Sequence, residues 1–65
     1  MTEFDMGVFY AAALLVTQAG SPTYAADVLD EAGLLEADIS ELDDTEKEAM
    51  VKLQEQDSRC KFTGL

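Results

Sequence analysis

The chain has 65 residues, 48% of them hydrophobic, with 14 acidic residues against 4 basic ones and a formal net charge of −10. Such a surface should repel nucleic-acid phosphates and anionic membranes, because cationic side chains supply most of the non-specific affinity for both. One cysteine, Cys60, excludes an internal disulfide framework, and the lack of histidine leaves no ligand set for structural zinc.

A chain of this size makes one small domain, residues 1–65, that buries only about 60% of its unfolded surface. Small domains usually add disulfides, a metal or oligomerisation, and the first two are excluded here. Self-association is therefore the expected support. The apolar run from Met6 to Val16 is well short of the ~20 residues that span a bilayer. Glu3 and Asp5 also stand where a secretory leader carries positive charge. The expectation is a cytoplasmic protein whose Cys60 is a reduced thiol.

In chain order, Thr2 to Asp5 has the form of a helix start, with acids at the positive end of the helix dipole. The first helix is predicted from Glu3 to Ala19. From Val8 to Val16 its side chains are apolar on every side, whereas an ordinary surface helix has one apolar stripe. Such a helix should be sandwiched between its own domain and a second subunit; the alternative is the plain core helix of a monomer. The candidate interface is Phe4, Val8, Phe9, Ala12, Leu15 and Val16, joined by Met50 and Leu53 from the third helix.

Gly20, Ser21 and Pro22 give the sharpest local signal. Gly20 suits the left-handed position after a helix, Ser21 can cap the next one, and Pro22 at its first position loses nothing by lacking an N–H. A second helix is predicted from Pro22 to Ala32, with Tyr24, Ala25, Val28, Leu29 and Ala32 inward. Asp27, Asp30 and Glu31 form an outward acidic face. Gly33 should close it in a Schellman motif, with Leu34 packed back on Leu29. The helix–turn–helix outline invites comparison with DNA-binding motifs, but that acidic face offers no cation to read bases or hold phosphates.

Residues 35–42 form a connector anchored by Ile39 and Leu42. Asp43 and Glu46 have capping-box spacing, so a third helix is predicted from Asp44 to Gln56, with Ala49, Met50 and Leu53 inward and Val51 off-axis. Glu48 and Lys52 make an i,i+4 pair worth about 0.2–0.5 kcal/mol. From Ser58 to Thr63 the tail alternates, Cys60 and Phe62 on one side and Arg59, Lys61 and Thr63 on the other. This is a candidate short strand over 58–63, which would need a partner such as the same segment of a second subunit. A disordered end is the alternative. If ordered, its cations would neutralise acids on the second helix or the connector.

The fold class expected is mainly α: a helical hairpin plus a third helix, in a homodimer. Chemistry finds no purchase. Adjacent Asp43 and Asp44 do not converge on one helix face, the calcium-loop pattern is absent, and Cys60 lacks a visible activating group. The sequence points away from an enzyme and implies no cofactor.

The stretch from Phe9 to Val16 (FYAAALLV) and that from Ala19 to Leu34 (AGSPTYAADVLDEAGL), in a short acidic chain, resemble the small early proteins of temperate bacteriophages. More narrowly, the chain is similar to the small proteins encoded in the exo–xis region of lambda-like and Shiga-toxin phages. The likeness covers most of the chain and rests on overall character. It implies an intertwined helical homodimer made early in infection, which tilts development toward lysis by contacting a host or phage protein through an apolar cleft. No functional residues carry over, because no site motif is matched.

Three functions from different classes follow. In the first, a dimeric interaction protein receives a partner helix in an apolar groove, and Phe9→Ser or Leu14→Ser destroys dimer and function together. In the second, an acidic decoy occupies the nucleic-acid site of a host protein, with binding that weakens steeply in salt and depends on Asp27, Asp30 and Glu31. In the third, a subunit or adaptor folds only inside a larger complex.

Overall fold

The computed structural model describes residues 1–65 and contains three helices: α1 (Glu3–Thr17), α2 (Pro22–Glu31) and α3 (Asp44–Gln56). The fold is mainly helical, and it contains no sheet. α1 opens as expected: Thr2 caps it, its Oγ1 accepting from the Asp5 N–H at 3.1 Å, with Glu3 and Asp5 in the first turn. It closes two residues earlier than the sequence suggests. The last regular bond runs from the Gln18 N–H to the Leu14 carbonyl at 2.8 Å. Beyond it the turn widens, with Ser21 N–H reaching back to the Leu15 carbonyl at 2.9 Å. Gly20 at φ 59° then reverses the chain.

Pro22 occupies the first turn of α2, but Ser21 does not cap it with its side chain. Its hydroxyl donates instead to the Ala19 carbonyl at 3.3 Å, inside the turn. The far end of α2 is the expected Schellman motif. Gly33 stands at φ 73°, its N–H donating to the Asp30 carbonyl at 3.0 Å, and the Leu34 N–H donates to the Leu29 carbonyl at 2.8 Å. Leu34 packs against the core cluster.

The inner side of α2 differs from the sequence reading. Ala25, Ala26 and Leu29 are buried, while Tyr24 and Val28 are exposed, Tyr24 by 66%. Small side chains allow the two helices of the hairpin to close on each other, and Tyr24 keeps its phenolic hydroxyl in water. α3 follows the prediction. Asp43 caps it, a carboxylate oxygen accepting from the Glu46 N–H at 2.8 Å, and Ala49, Met50 and Leu53 face inward.

The core consists of 13 buried residues and contains no buried polar or charged side chain. Those residues come from every segment: Phe9, Ala12 and Ala13 of α1, the inner sides of α2 and α3, Ile39 and Leu42 of the connector, and Cys60 and Phe62 of the tail. Phe9 and Phe62 meet edge to face with ring centroids 5.9 Å apart, a favoured aromatic geometry.

The tail is docked in this chain. Its alternation is realised, with Cys60 and Phe62 buried and Arg59, Lys61 and Thr63 exposed. The partner is the chain's own connector. Lys61 N–H donates to the Leu35 carbonyl (2.9 Å), Thr63 N–H to the Ala37 carbonyl (3.1 Å), and Ile39 N–H to the Thr63 carbonyl (2.9 Å). The pairing amounts to one isolated parallel bridge, Asp38 with Thr63, and not to a strand. Gly64, at φ 76°, lies so close to the Asp38 carboxylate and the Ser40 backbone nitrogen that a Cβ there would collide with both.

Candidate interaction surface

The expected all-round cover of α1 is not supplied by the domain. Phe9, Ala12 and Ala13 are buried on one side, and Val8, Leu15 and Val16 are half-buried at its flanks. On the opposite side Phe4 is 72% exposed, Tyr10 60% and Leu14 41%, with Gly7 and Ala11 also open to solvent. Sixty-five residues provide one layer behind the helix and nothing in front of it.

This redistributes the residues predicted for an interface. Phe9, Ala12, Met50 and Leu53 lie inside the domain's own core, Val8, Leu15 and Val16 pack against that core, and Phe4 alone of the eight projects freely. Tyr10, Leu14, Tyr24 and Val28 stand outside, although the sequence-based interface omits them. The signal that would have found Tyr10 and Leu14 is their offset from Phe9, Ala12 and Val16. Once Phe9 points inward, a helix of 3.6 residues per turn sends Phe4, Gly7, Ala11 and Leu14 outward.

The electrostatics of this surface are distinctive. No charged residue occurs from Met6 to Ala26, in a chain whose net charge is −10. The exposed side of α1 beyond its first turn and of the start of α2 is thus uncharged, while acids crowd the remainder. Gly7 sits in the body of α1 with an ordinary negative φ, and a Cβ added there would meet nothing within 4 Å. Glycine in a helix interior costs about 0.5–1 kcal/mol relative to alanine. Neither conformation nor packing within this chain requires it.

Beside Tyr10 and Leu14, a shallow cleft separates α1 from the start of α3. Ala13, Thr17 and Gln18 line one wall, and Asp43, Thr45 and Glu46 the other. Partial burial, aided by the Asp43 carboxylate, pushes the Glu46 carboxyl above its ordinary value.

The acidic face is only partly free. Asp27 pairs with Arg59, Nη1 to Oδ1 at 2.9 Å, and the same guanidinium reaches the Asp57 carboxylate at 2.9 Å. Arg59 therefore ties the tail to α2, as expected for a tail cation. The Arg59 hydrogen bonds hold the Asp57 carboxyl below its usual range, and the two carboxylates push the guanidinium pKa further up. Asp30 and Glu31 remain exposed without such a partner.

Cys60 is a buried thiol, and burial pushes its pKa up, which disfavours the nucleophilic thiolate. No three Cys, Asp or Glu side chains converge as a metal-binding group would require. No helix is long and apolar enough to cross a membrane. Comparison with protein-family models, with curated proteins and with solved structures gives no match.

Proposed function

We propose that this chain is a non-enzymatic interaction protein that works as a homodimer. Following its resemblance to early proteins of temperate phages, we place it in the cytoplasm of an infected bacterium. There it favours lytic development by contacting a host or phage protein. The observation that carries the interaction reading is the exposure of large apolar groups on α1 and the start of α2, with Phe4, Tyr10 and Tyr24 each at least 60% exposed. Exposed apolar patches of this kind, rimmed by polar residues, mark contact sites. The decoy reading is weaker, because Asp27, one of its three acids, is already paired with Arg59.

Two measurements test the proposal. Sedimentation equilibrium over a wide concentration range, with circular dichroism on the same samples, should show a helical dimer. Expression in a lysogen should raise the phage titre after induction, and a Phe4→Ser/Tyr24→Ser variant should not. A poorly helical monomer would favour the adaptor reading, and an unchanged titre with the wild-type chain would remove the lytic role.

A further inference from the structure

We propose that a second copy of this chain packs antiparallel against the outer side of α1, across a two-fold axis that passes beside position 9, with Phe4 of each copy over Leu14 of the other. The proposal rests on the self-association argued above and adds the face, the direction and the register.

The first ground is pattern. The exposed stripe reads large, small, small, large: Phe4, Gly7, Ala11, Leu14. Spacings of three, four and three residues keep these side chains on one helix face. The stripe is also symmetric about its centre, so reversing the helix sets Phe4 opposite Leu14 and Gly7 opposite Ala11. A two-fold contact requires a surface complementary to itself, and this one is. The gap left by the missing Gly7 side chain, which serves nothing inside the chain, lets the partner's backbone approach at Ala11.

The second ground is charge. Two copies at −10 each repel, and like charges brought face to face are strongly unfavourable. The outer sides of α2 and α3 carry Asp27, Asp30 and Glu31, and Asp44, Glu48 and Glu55. α1 has no charge after Asp5. Its outer side carries the fewest charges of the three helices, and the nearest carboxylates are Glu3 beside Phe4 and Asp43 and Glu46 across the cleft from Leu14.

The third ground is area. An aromatic side chain brings 150–250 Å², so Phe4 and Tyr10 at their observed exposure offer about 250 Å² per copy. With Ala11 and Leu14 beside them, the face reaches roughly 400 Å² per copy, the size of a weak, transient interface. The dimer is accordingly a small one, and its dissociation should be visible on dilution.

The test compares the full-length chain with Gly7→Leu by sedimentation equilibrium and circular dichroism. Leucine is a good helix former, and a Cβ at this exposed position meets nothing within 4 Å, so the fold should persist. The dissociation constant should rise at least tenfold. Direction and register are read by oxidative cross-linking of Phe4→Cys chains mixed with Leu14→Cys chains, with the buried Cys60 left in place. The mixed disulfide should form faster than either like pair. A wild-type monomer at every concentration overturns both the self-association and this interface. A wild-type dimer that survives Gly7→Leu, or that cross-links Phe4→Cys chiefly to itself, keeps self-association and overturns the face or the direction.

Discussion

The hairpin and the C-terminal half of this molecule solve the same problem with opposite means. From Met6 to Ala26 the chain has no charge at all, and the hairpin buries small side chains, Ala12 and Ala13 on α1 and Ala25 and Ala26 on α2. Its larger side chains are divided, Phe9 inside and Phe4, Tyr10 and Tyr24 outside. The C-terminal half keeps its large apolar groups inward, as with Ile39, Leu42, Met50, Leu53 and Phe62, and presents mostly charge to water. The second half reads as surface meant for solvent. The first does not, and this contrast is what supports the proposed contact surface.

The contrast is sharpest between two phenylalanines. Phe62 lies in the core against Phe9, so Phe62→Ala should cost about 3–5 kcal/mol of stability. Phe4→Ala, measured on the monomer at low concentration, should stay within about 0.5 kcal/mol, as surface substitutions do. Urea denaturation of both variants checks the pair; comparable losses would mean that α1 is covered within the monomer.

Gly64→Ala comes next. Its positive φ and the collision of the new Cβ with Asp38 and Ser40 should cost about 1–3 kcal/mol. The loss should appear as faster amide exchange at Lys61 and Thr63, whose N–H groups pair with the connector. Asp43→Ala removes the cap of α3 and should cost about 1 kcal/mol, seen as a lower urea midpoint, with the hairpin's own amide protection changed least.

The smallest effect is set by pH. The hydrogen bonds from Arg59 depress the Asp57 carboxyl, and the Ser40 N–H depresses that of Asp38. A depressed carboxyl stabilises the fold fully above its unfolded pKa of about 3.9, and that contribution is lost as pH falls through the folded value. Tail protection, read from the Phe62 amide, should therefore weaken in acid while α1 is little changed. Asp57→Asn should flatten the response.

Much of this fold is legible in the sequence because its signals are local. Thr2 and Asp43 as caps, Gly20 with Pro22 as the hairpin turn, and Gly33 with Leu34 as a Schellman end each require only neighbours in the chain. The inner side of α3 follows from a clear apolar stripe. Where the stripe broadens, the sequence loses direction. α1 is apolar on every side, so the side that faces the core is decided by a cluster it shares with Leu29, Leu53 and Phe62, far along the chain. For the same reason Tyr24 and Val28 read as inward, while the hairpin uses Ala26. The candidate surface was legible as a surplus of apolar groups on α1, but not as particular residues. The tail's partner was hidden as well, since alternation predicts a strand without saying which segment it joins.

The docked tail also sets the order in which this protein can be made. Phe62 supplies a face of the core and Thr63 two hydrogen bonds to the connector, so the helices emerge from the ribosome with Phe9 still uncovered. The core cannot close until residue 62 has cleared the exit tunnel. During that interval the neutral hairpin is the stickiest part of the nascent molecule, and whatever first shields it, chaperone or second chain, meets it before the domain is complete.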